Sequence, residues 1–351
     1  LFRDRIPYKF QHDGNGNFCM SLRNIIFVLL FMYSLSSHAQ VGGATTYGFL
    51  NLTTSARAMA LGTKSIAIDD DDLNLIYYNP ALLNSHMEQH LGLNYVKYFG
   101  GINYGYVAYS PGKINQYNVS AGLHYLNYGE FQGADEKGIR TGAFRASEYA
   151  LNLTASRPLD TNFTLGLHLK PVYSHLEEYR SLGLAADIGL LYTDSSGLFS
   201  AALVLENIGT QIIPYTSGKY EKLPFEIQLG ASYKLKYAPF RFIAVAEHLE
   251  NPDLTFQRTD ETRLIYGYYQ GNLQTGSFLD KLMRHLIFGV EFTPLDNFYL
   301  RGGYHYRRRQ EMKVESKIST VGFSWGFGIK IYKFYLNYGR GTYHLAGGTN
   351  H

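Results

Sequence analysis

The chain has 351 residues, a formal net charge of +3 and one cysteine, Cys19. The small net charge gives no reason to expect nucleic-acid binding, and the single cysteine excludes a disulfide scaffold. Charged residues make up only 17%, against about 25% in soluble domains, whereas Gly (36), Tyr (31) and Phe (22) are abundant. A charge-poor, aromatic-rich chain whose mean hydropathy is still −0.19 is typical of a membrane β-barrel with an apolar outside and a polar inside.

The first 39 residues have the pattern of a leader that is removed on export. Met20 is followed by Arg23, an apolar stretch from 25 to 35 and small residues ending at Ala39. We therefore expect a signal peptide cleaved after Ala39, with upstream read-through before Met20. Cys19 precedes the apolar stretch, so it is not placed as a lipoprotein cysteine, and the mature chain has no thiol chemistry.

The stretch from 51 to 83 differs from everything after it. It contains an Ala-rich, helix-compatible piece, a run of four aspartates and an Asn-Pro-Ala turn in place of strand alternation. We expect residues 40–88 to form a plug inside, or across the mouth of, a barrel built by residues 89–351. The residues expected to shape this plug are Ser55, Arg57, Gly62, Asp69, Asp70, Asp71, Asp72, Asn79, Pro80 and Ala81.

The four aspartates offer hard oxygen ligands, but they lack the spacing and the glycine of a calcium loop. A solvated turn, or salt bridges to Lys and Arg side chains inside the barrel, is therefore expected in preference to a metal site. The turn at Asn79-Pro80 is expected to lead the chain into its first strand.

From His90 onward the sequence consists of short strand patterns. The first two, 90–99 and 102–110, flank Gly100-Gly101, a strong turn signal. Strict alternation of apolar with small or polar residues follows in the runs 117–125, 163–169, 225–235 and 321–331. Several runs reach about 10 residues, the length that a tilted membrane strand needs.

The pattern predicts an all-β fold, a transmembrane antiparallel β-barrel of about 14 strands with an N-terminal plug segment. Between 12 and 14 alternating runs can be counted. An exported soluble β protein is the alternative, because a β-sandwich also alternates. Aromatic residues near strand ends are expected to form interfacial girdles, and they include Tyr95, Tyr98, Phe99, Tyr125, Tyr128, Tyr332, Phe334, Tyr335 and Tyr338.

Two charged connections, 132–145 and 250–284, are expected to be surface loops, and the second, as the longest, is the better candidate for contact with a partner. Its alternative interpretation is a solvated excursion without a partner. Arg307, Arg308 and Arg309, at the end of a strand, could meet lipid phosphates or simply cap a loop.

Catalysis is not expected. Ser120 and His124 share a face of one strand, but positions i and i+4 lie about 13 Å apart along a strand, too far for a nucleophile and its base. No HExxH, GxxxxGK[ST] or CxxC motif occurs. The sequence therefore predicts a non-enzymatic protein without a cofactor or a metal.

Two sets of motifs carry a resemblance. SARAMALG (55–62), the acidic stretch and NPALL (79–83) resemble the N-terminal region of FadL-like outer-membrane barrels, where this region plugs a barrel of about 14 strands. Longer segments look like PorQ-like barrel components of the type IX secretion system; they include LNYVKYF (93–99), LNYGEFQGADEKG (126–138), SLGLAADIGLLY (181–192), LVLENIGTQI (203–212) and LPFEIQLGASYKL (223–235). Thr63 departs from this pattern because a second glycine is expected there. The end at His351 without a terminal aromatic, together with the start at a residue other than Met, suggests imprecise chain ends or a last strand that is cut short.

The resemblance to PorQ-like proteins implies an outer-membrane scaffold. It would anchor a PorZ-like surface protein and support a sortase (PorU-like) and a related barrel (PorV-like) in attaching cargo to lipopolysaccharide. The alternative is a FadL-like transporter of hydrophobic compounds, and a diffusion porin is a third possibility. The interior should separate them: a transporter needs an apolar path, a scaffold can have a filled interior, and a porin needs an open channel without a plug.

Overall fold

Fourteen antiparallel strands form one sheet in which each strand pairs with its neighbours in chain order. The computed structural model describes residues 45–134, 136–255, 277–312, 320–344 and 348–350, so the expected leader lies outside the described residues. The strands are β1 (His90–Lys97), β2 (Asn103–Ile114), β3 (Tyr117–Ala134), β4 (Arg140–Pro158), β5 (Phe163–Leu176), β6 (Tyr179–Thr193), β7 (Phe199–Ile213), β8 (Glu226–Lys234), β9 (Phe240–Ala246), β10 (Leu286–Leu295), β11 (Phe298–His305), β12 (Phe323–Ile331), β13 (Phe334–His344) and β14 (Gly348–Asn350).

The predicted alternation is confirmed in the strands that contain the four runs. In β12, Phe323 and Trp325 are about half exposed, at 51% and 52%, whereas Ser324 between them is buried. In β5, Leu165 and Leu167 point outward while His168 is fully buried. Both strands therefore present large apolar side chains on one face and small or polar ones on the other, and we call these the outer and inner faces of the sheet.

The two ends of the sheet differ in their connections. At one end, tight turns join β2 to β3, β4 to β5, β6 to β7, β8 to β9, β10 to β11 and β12 to β13; we call it the short-turn end. The other end, the long-loop end, carries the connections 214–225, 247–285 and 306–322. The predicted turn at Gly100-Gly101 lies there, and both glycines have positive φ, 67° and 82°, as such a turn requires.

β1 and β14 are the outermost strands, and within the described ranges they do not pair with each other. The three-residue β14 lies beside the turn Phe99–Gly101 that follows β1, so the two edges of the sheet approach each other. The described ranges also contain three short helices, α1 (Ala56–Ala60), α2 (Phe278–Arg284) and α3 (Tyr306–Met312). None of the helices described here is long and apolar enough to cross a membrane.

Residues 45–89, which we call the N-terminal segment, pack against the inner face. Besides α1 the segment contains the 3₁₀ turns Gly48–Asn51, Leu73–Tyr77, Pro80–Leu82 and Ser85–Met87. The turn 73–77 contacts β1 and β2, the turn 80–82 contacts β4 to β6, and α1 contacts β11 to β13. Strands from the beginning, middle and end of the sheet therefore curve around one segment.

Three expectations need correction. The interval 132–145 is not a loop, because Gln132 belongs to β3 and residues from Arg140 onward belong to β4, so backbone pairing continues almost to the hairpin tip. Tyr98 and Tyr128 do not stand in an outer girdle; they pack against a cluster of buried apolar residues on the inner face. The arginines 307–309 form part of helix α3 and not a strand end.

Candidate functional site

The N-terminal segment begins with a capped helix. Ser55 is the N-cap of α1, and its Oγ accepts a hydrogen bond from the backbone N–H of Ala58 at 3.3 Å, which satisfies one of the unpaired donors of a helix start. The hydroxyl of Tyr78 accepts two more backbone N–H groups, from Thr54 at 2.9 Å and Ser55 at 3.0 Å. Backbone N–H groups that have no partner in a helix or a strand thus find hydrogen-bond acceptors within the segment itself.

The chain leaves α1 through two residues of positive φ, Gly62 at 111° and Thr63 at 119°. This region of backbone space favours glycine, and a β-branched residue there is strained. The resemblance to known barrels leads to a glycine at position 63, and the backbone conformation there also favours glycine over threonine.

The Asn-Pro-Ala turn is a capped 3₁₀ turn. Asn79 Oδ1 accepts from Ala81 N–H at 2.9 Å, Asn79 Nδ2 donates to the Ile66 carbonyl at 2.7 Å, and Pro80 occupies the first turn position. Gly166 of β5 lies against the Pro80-Ala81 backbone, so closely that a Cβ at this glycine would collide with it. The absence of a side chain at this inner-face position allows the turn to rest on the sheet.

A charged cluster fixes the other half of the segment near the short-turn end. Arg57 donates to Asp70 (Nη2 to Oδ2, 2.8 Å), to Asp72 (3.3 Å) and to Glu291 of β10 (3.0 and 3.1 Å). Arg241 also donates to Asp70 and Glu291, at 3.0 and 3.1 Å, and Arg301 donates to Glu291 at 2.7 Å. Three arginines face three carboxylates in this set, which we call the Arg57 cluster.

Burial and pairing together raise the pKa of Arg57 and lower the pKa of Asp70. Burial disfavours the charged form of Arg57, but Asp70, Glu291 and Asp72 outweigh it and hold the Arg57 pKa well above its ordinary value. Burial likewise opposes ionisation of Asp70, and Arg57 and Arg241 overcome it and lower the Asp70 pKa to about 2. Both groups stay charged at neutral pH because each is held by its partners.

The other two aspartates of the acidic run reach different strands. Asp69 accepts a hydrogen bond from Thr193 Oγ1 at 2.8 Å, and Asp71 accepts one from the Tyr335 hydroxyl at 3.3 Å. The four aspartates therefore diverge, and only Asp70 and Asp72 share a partner.

A second charged cluster lies toward the long-loop end. Lys64 Nζ is 2.6 Å from Glu226 Oε1, 3.7 Å from Glu206 and 4.0 Å from Glu247. Glu247 also meets Arg307 at 2.9 Å and His305 at 3.2 Å, and Glu250 meets His248 at 3.1 Å. We call these eight residues the Lys64 cluster: Lys64, Glu206, Glu226, Glu247, His248, Glu250, His305 and Arg307.

An apolar cluster fills the inner face beside this second charged cluster. Tyr47, Phe49 and Leu50 of the N-terminal segment are 2–3% exposed and pack with side chains of β1 to β6. Phe49 lies 5.1 Å, centroid to centroid, from the ring of His124. The start of the segment thus occupies an apolar part of the interior near the long-loop end.

Ser120 and His124 do not form a catalytic pair. Ser120 Oγ donates to the Tyr109 carbonyl at 3.0 Å, and His124 Nδ1 lies 2.8 Å from the Tyr77 hydroxyl. Each side chain has its own structural partner, and each is buried on the inner face.

The sequence analysis missed the strand residues of both charged clusters. Glu226 and Gln228 stood on the polar face of an alternating run, and Glu291 stood between apolar neighbours in β10. The inner-face positions of the alternating runs usually hold Gly, Ser or Asn. An ionisable residue at such a position would have been the signal, because a buried charge requires a partner.

No family model and no curated protein matches the sequence. Among solved structures, a deltaS2 mutant of the TodX monoaromatic hydrocarbon channel superimposes with a TM-score of 0.51 at 13% identity, covering 83% of this chain and 93% of that one. The Pseudomonas putida toluene transporter TodX gives 0.49 at 12% identity, covering 82% and 92%. A Pseudomonas aeruginosa FadL homologue gives 0.44 at 10% identity, covering 82% and 89%. The likeness to the TodX mutant shows that the two chains share a fold.

Proposed function

We propose that the protein is a FadL-like outer-membrane barrel that conducts small hydrophobic compounds, with the N-terminal segment as its plug. The observation that carries this is an antiparallel sheet of 14 strands, apolar outside, curved around a buried segment. An outer face of Leu, Phe and Trp is stable in hydrocarbon, whereas in water such a surface would aggregate. The fold shared with the TodX mutant agrees with this role.

Orientation follows from the connections. In outer-membrane barrels the short turns face the periplasm and the longer loops face outward. The short-turn end is therefore assigned to the periplasm, and the long-loop end, with the Lys64 cluster, to the cell surface. We further propose that β1 and the C-terminal edge pair in the membrane, since an open edge in lipid would leave backbone groups without partners.

The apolar cluster around Phe49 and Leu50 is the proposed entry site. A monoaromatic hydrocarbon or an acyl chain entering from the surface would replace these side chains against the inner face. Such a path requires the N-terminal segment to shift, and the two charged clusters are the contacts that resist the shift.

Locking the segment to the sheet tests this proposal. A Cβ built at Gly230 lies 3.5 Å from Ala67 Cβ, a separation that suits a disulfide, once the Ile66 side chain turns aside. In the Cys19→Ser background, the pair Ala67→Cys with Gly230→Cys is reconstituted in liposomes with a labelled monoaromatic hydrocarbon and a labelled long-chain fatty acid. Uptake by the wild type, its loss in the oxidised variant and its return on reduction are expected. Absence of uptake by the wild type would overturn the proposal.

The scaffold role implied by the PorQ resemblance is the second candidate, and the filled interior favours it. Side chains of the segment and the sheet interlock there, which suits a rigid platform. In this role the protein contacts lipopolysaccharide and a PorZ-like partner, with PorU-like and PorV-like proteins nearby, and the catalysis belongs to the partner sortase. A pull-down from detergent-solubilised outer membrane distinguishes the roles: a scaffold recovers its surface partner with the disulfide closed or open, and shows no uptake in liposomes.

A further inference from the structure

Three potential metal ligands of the Lys64 cluster lie close together. Ligand atoms of Glu226, Glu247 and His248 are all within 4.8 Å of one another. Glu226 is fully buried, and its Oε2 accepts no hydrogen bond from the described residues. A buried carboxylate oxygen without a donor costs free energy, so this oxygen has room for a partner that the protein itself does not supply. We propose that these three residues, with Glu250, bind a divalent transition-metal ion such as Zn²⁺.

The separations of the ligand atoms suit a single small ion. Two ligands about 2.1 Å from a tetrahedral zinc are about 3.4 Å apart. His248 Nδ1 lies 3.8 Å from Glu226 Oε2 and 3.1 Å from Glu250 Oε1, on either side of that value. Glu247 Oε1 lies close to Arg307 and His305, and its Oε2 lies 4.0 Å from Lys64 Nζ, beyond hydrogen-bond distance.

The charges of the cluster also favour a divalent ion. Four carboxylates, Glu206, Glu226, Glu247 and Glu250, face two permanently charged cations, Lys64 and Arg307. The cluster therefore holds more carboxylates than permanent cations in a buried setting, where an uncompensated charge is costly. Lys64 contacts Glu226 through Oε1, so it leaves Oε2 free for the ion.

His248 gives the site its access and its selectivity. Its side chain is 22% exposed, whereas those of Glu226 and Glu247 are at most 2% exposed, so an ion can enter past the imidazole. Its backbone is left-handed, with φ at 55°, a conformation that is uncommon outside glycine and is found at functional sites. An imidazole nitrogen among carboxylates suits zinc or manganese, whereas calcium requires six to eight oxygen ligands.

Binding would tie the connection after β9 to the first residue of β8 and, through Glu226, to Lys64 of the N-terminal segment. The inference does not depend on the proposed transport, because metal binding is measured on the protein alone.

The experiment uses the full mature protein, purified in detergent, freed of its affinity tag and stripped with EDTA. Calorimetry with ZnCl₂, MnCl₂ and CaCl₂ is combined with metal analysis after gel filtration. We expect about one zinc per chain, weaker manganese binding and no calcium binding. His248→Asn, which keeps a residue that tolerates the left-handed backbone, and Glu226→Gln should each weaken zinc binding about tenfold or more.

Two controls keep the result interpretable. His86→Ala removes an exposed histidine of the N-terminal segment, and this variant should bind zinc as the wild type does. If Glu226→Gln fails to fold, Glu250→Gln replaces it, since Glu250 is partly exposed. A wild type that retains no zinc, or a His248→Asn variant that binds it unchanged, would overturn the site, whatever the transport assays give.

Discussion

Arg57 illustrates at the scale of a residue how one side chain can hold a segment in place. Its guanidinium is 7% exposed and joins Asp70 and Asp72 of the segment to Glu291 of the sheet. Arginine suits this position because its planar fork can bond two carboxylates at once. Removing it leaves buried carboxylates short of a partner, and this is more costly than the loss of an attractive pair.

Arg57→Ala is therefore expected to destabilise the folded protein by about 3–5 kcal/mol. The free energy of unfolding in detergent, measured by urea titration with tryptophan fluorescence, checks this. Arg145→Ala is the matched control, because the Arg145–Glu130 pair is 80% and 58% exposed and is expected to contribute at most about 1 kcal/mol. Equal effects of the two substitutions would contradict the role given to Arg57.

Asp70 makes the stability of the folded protein depend on pH, and its lowered pKa sets the direction of that dependence. Its folded pKa of about 2 lies below the ordinary value of 3.8, so pairing adds stability that is complete above the ordinary pKa and is lost as the pH falls through the folded pKa. This contribution is about 2 kcal/mol. Asp70→Asn should remove it at pH 7 and flatten the loss of stability between about pH 4 and 2. Urea titration in detergent at pH 7 and between about pH 4 and 2 measures both effects, and an unchanged acid profile would argue against the pairing.

At the scale of elements, contact between the N-terminal segment and the sheet depends on residues without side chains on the inner face. Gly166 meets the Pro80-Ala81 backbone, and Gly339 meets the backbone of Ala56. Turns of the segment can approach the strands there because no Cβ intervenes. Two separate pieces of the segment thus use the same device on strands from different halves of the sheet.

Gly166→Ala should separate this turn from β5. The added Cβ meets backbone atoms that have no side-chain freedom to move away, so we expect a loss of about 1–3 kcal/mol and faster proteolysis of the N-terminal segment. Gly302→Ala is the control, since its Cβ would meet only Val290 Cγ1 at an ordinary 3.7 Å. Limited proteolysis with mass spectrometry measures the rate at which the N-terminal segment is cleaved. Equal protection of the segment in the two variants would contradict a tight contact between Gly166 and the Pro80-Ala81 backbone.

At the scale of the whole molecule, the outer face of the sheet is its defining surface. Leu167 in the middle of β5 is 51% exposed, and in a membrane this exposure is to hydrocarbon. Leu167→Arg is expected to cost about 2–4 kcal/mol in lipid and to lower the yield of folded protein on refolding into liposomes. Tyr237→Arg, in the β8–β9 turn and 91% exposed, should be tolerated. A soluble β protein would tolerate both substitutions.

The sequence by itself determined the strands and their faces. Alternation with a period of two is a local property, so runs such as 163–169 indicate which side chains share a face without knowledge of what lies behind them. The same reasoning identified the interval 40–88 as different, because it lacks that period. The prediction of a loop at 132–145 was wrong. These charged, Gly-containing residues look like a loop, but they continue the β3–β4 hairpin, because cross-strand pairing overrides composition.

Only the tertiary structure decided which charges meet. Arg57 and Glu291 are 234 positions apart, and Lys64 and Glu226 are 162 apart, so no periodicity along the chain links them. Their pairing depends on the curvature that brings β8 to β11 against the N-terminal segment, and burial then makes each pairing obligatory. The alternation that the sequence encodes fixes which face a residue occupies, whereas the curvature of the sheet around the segment fixes its partner.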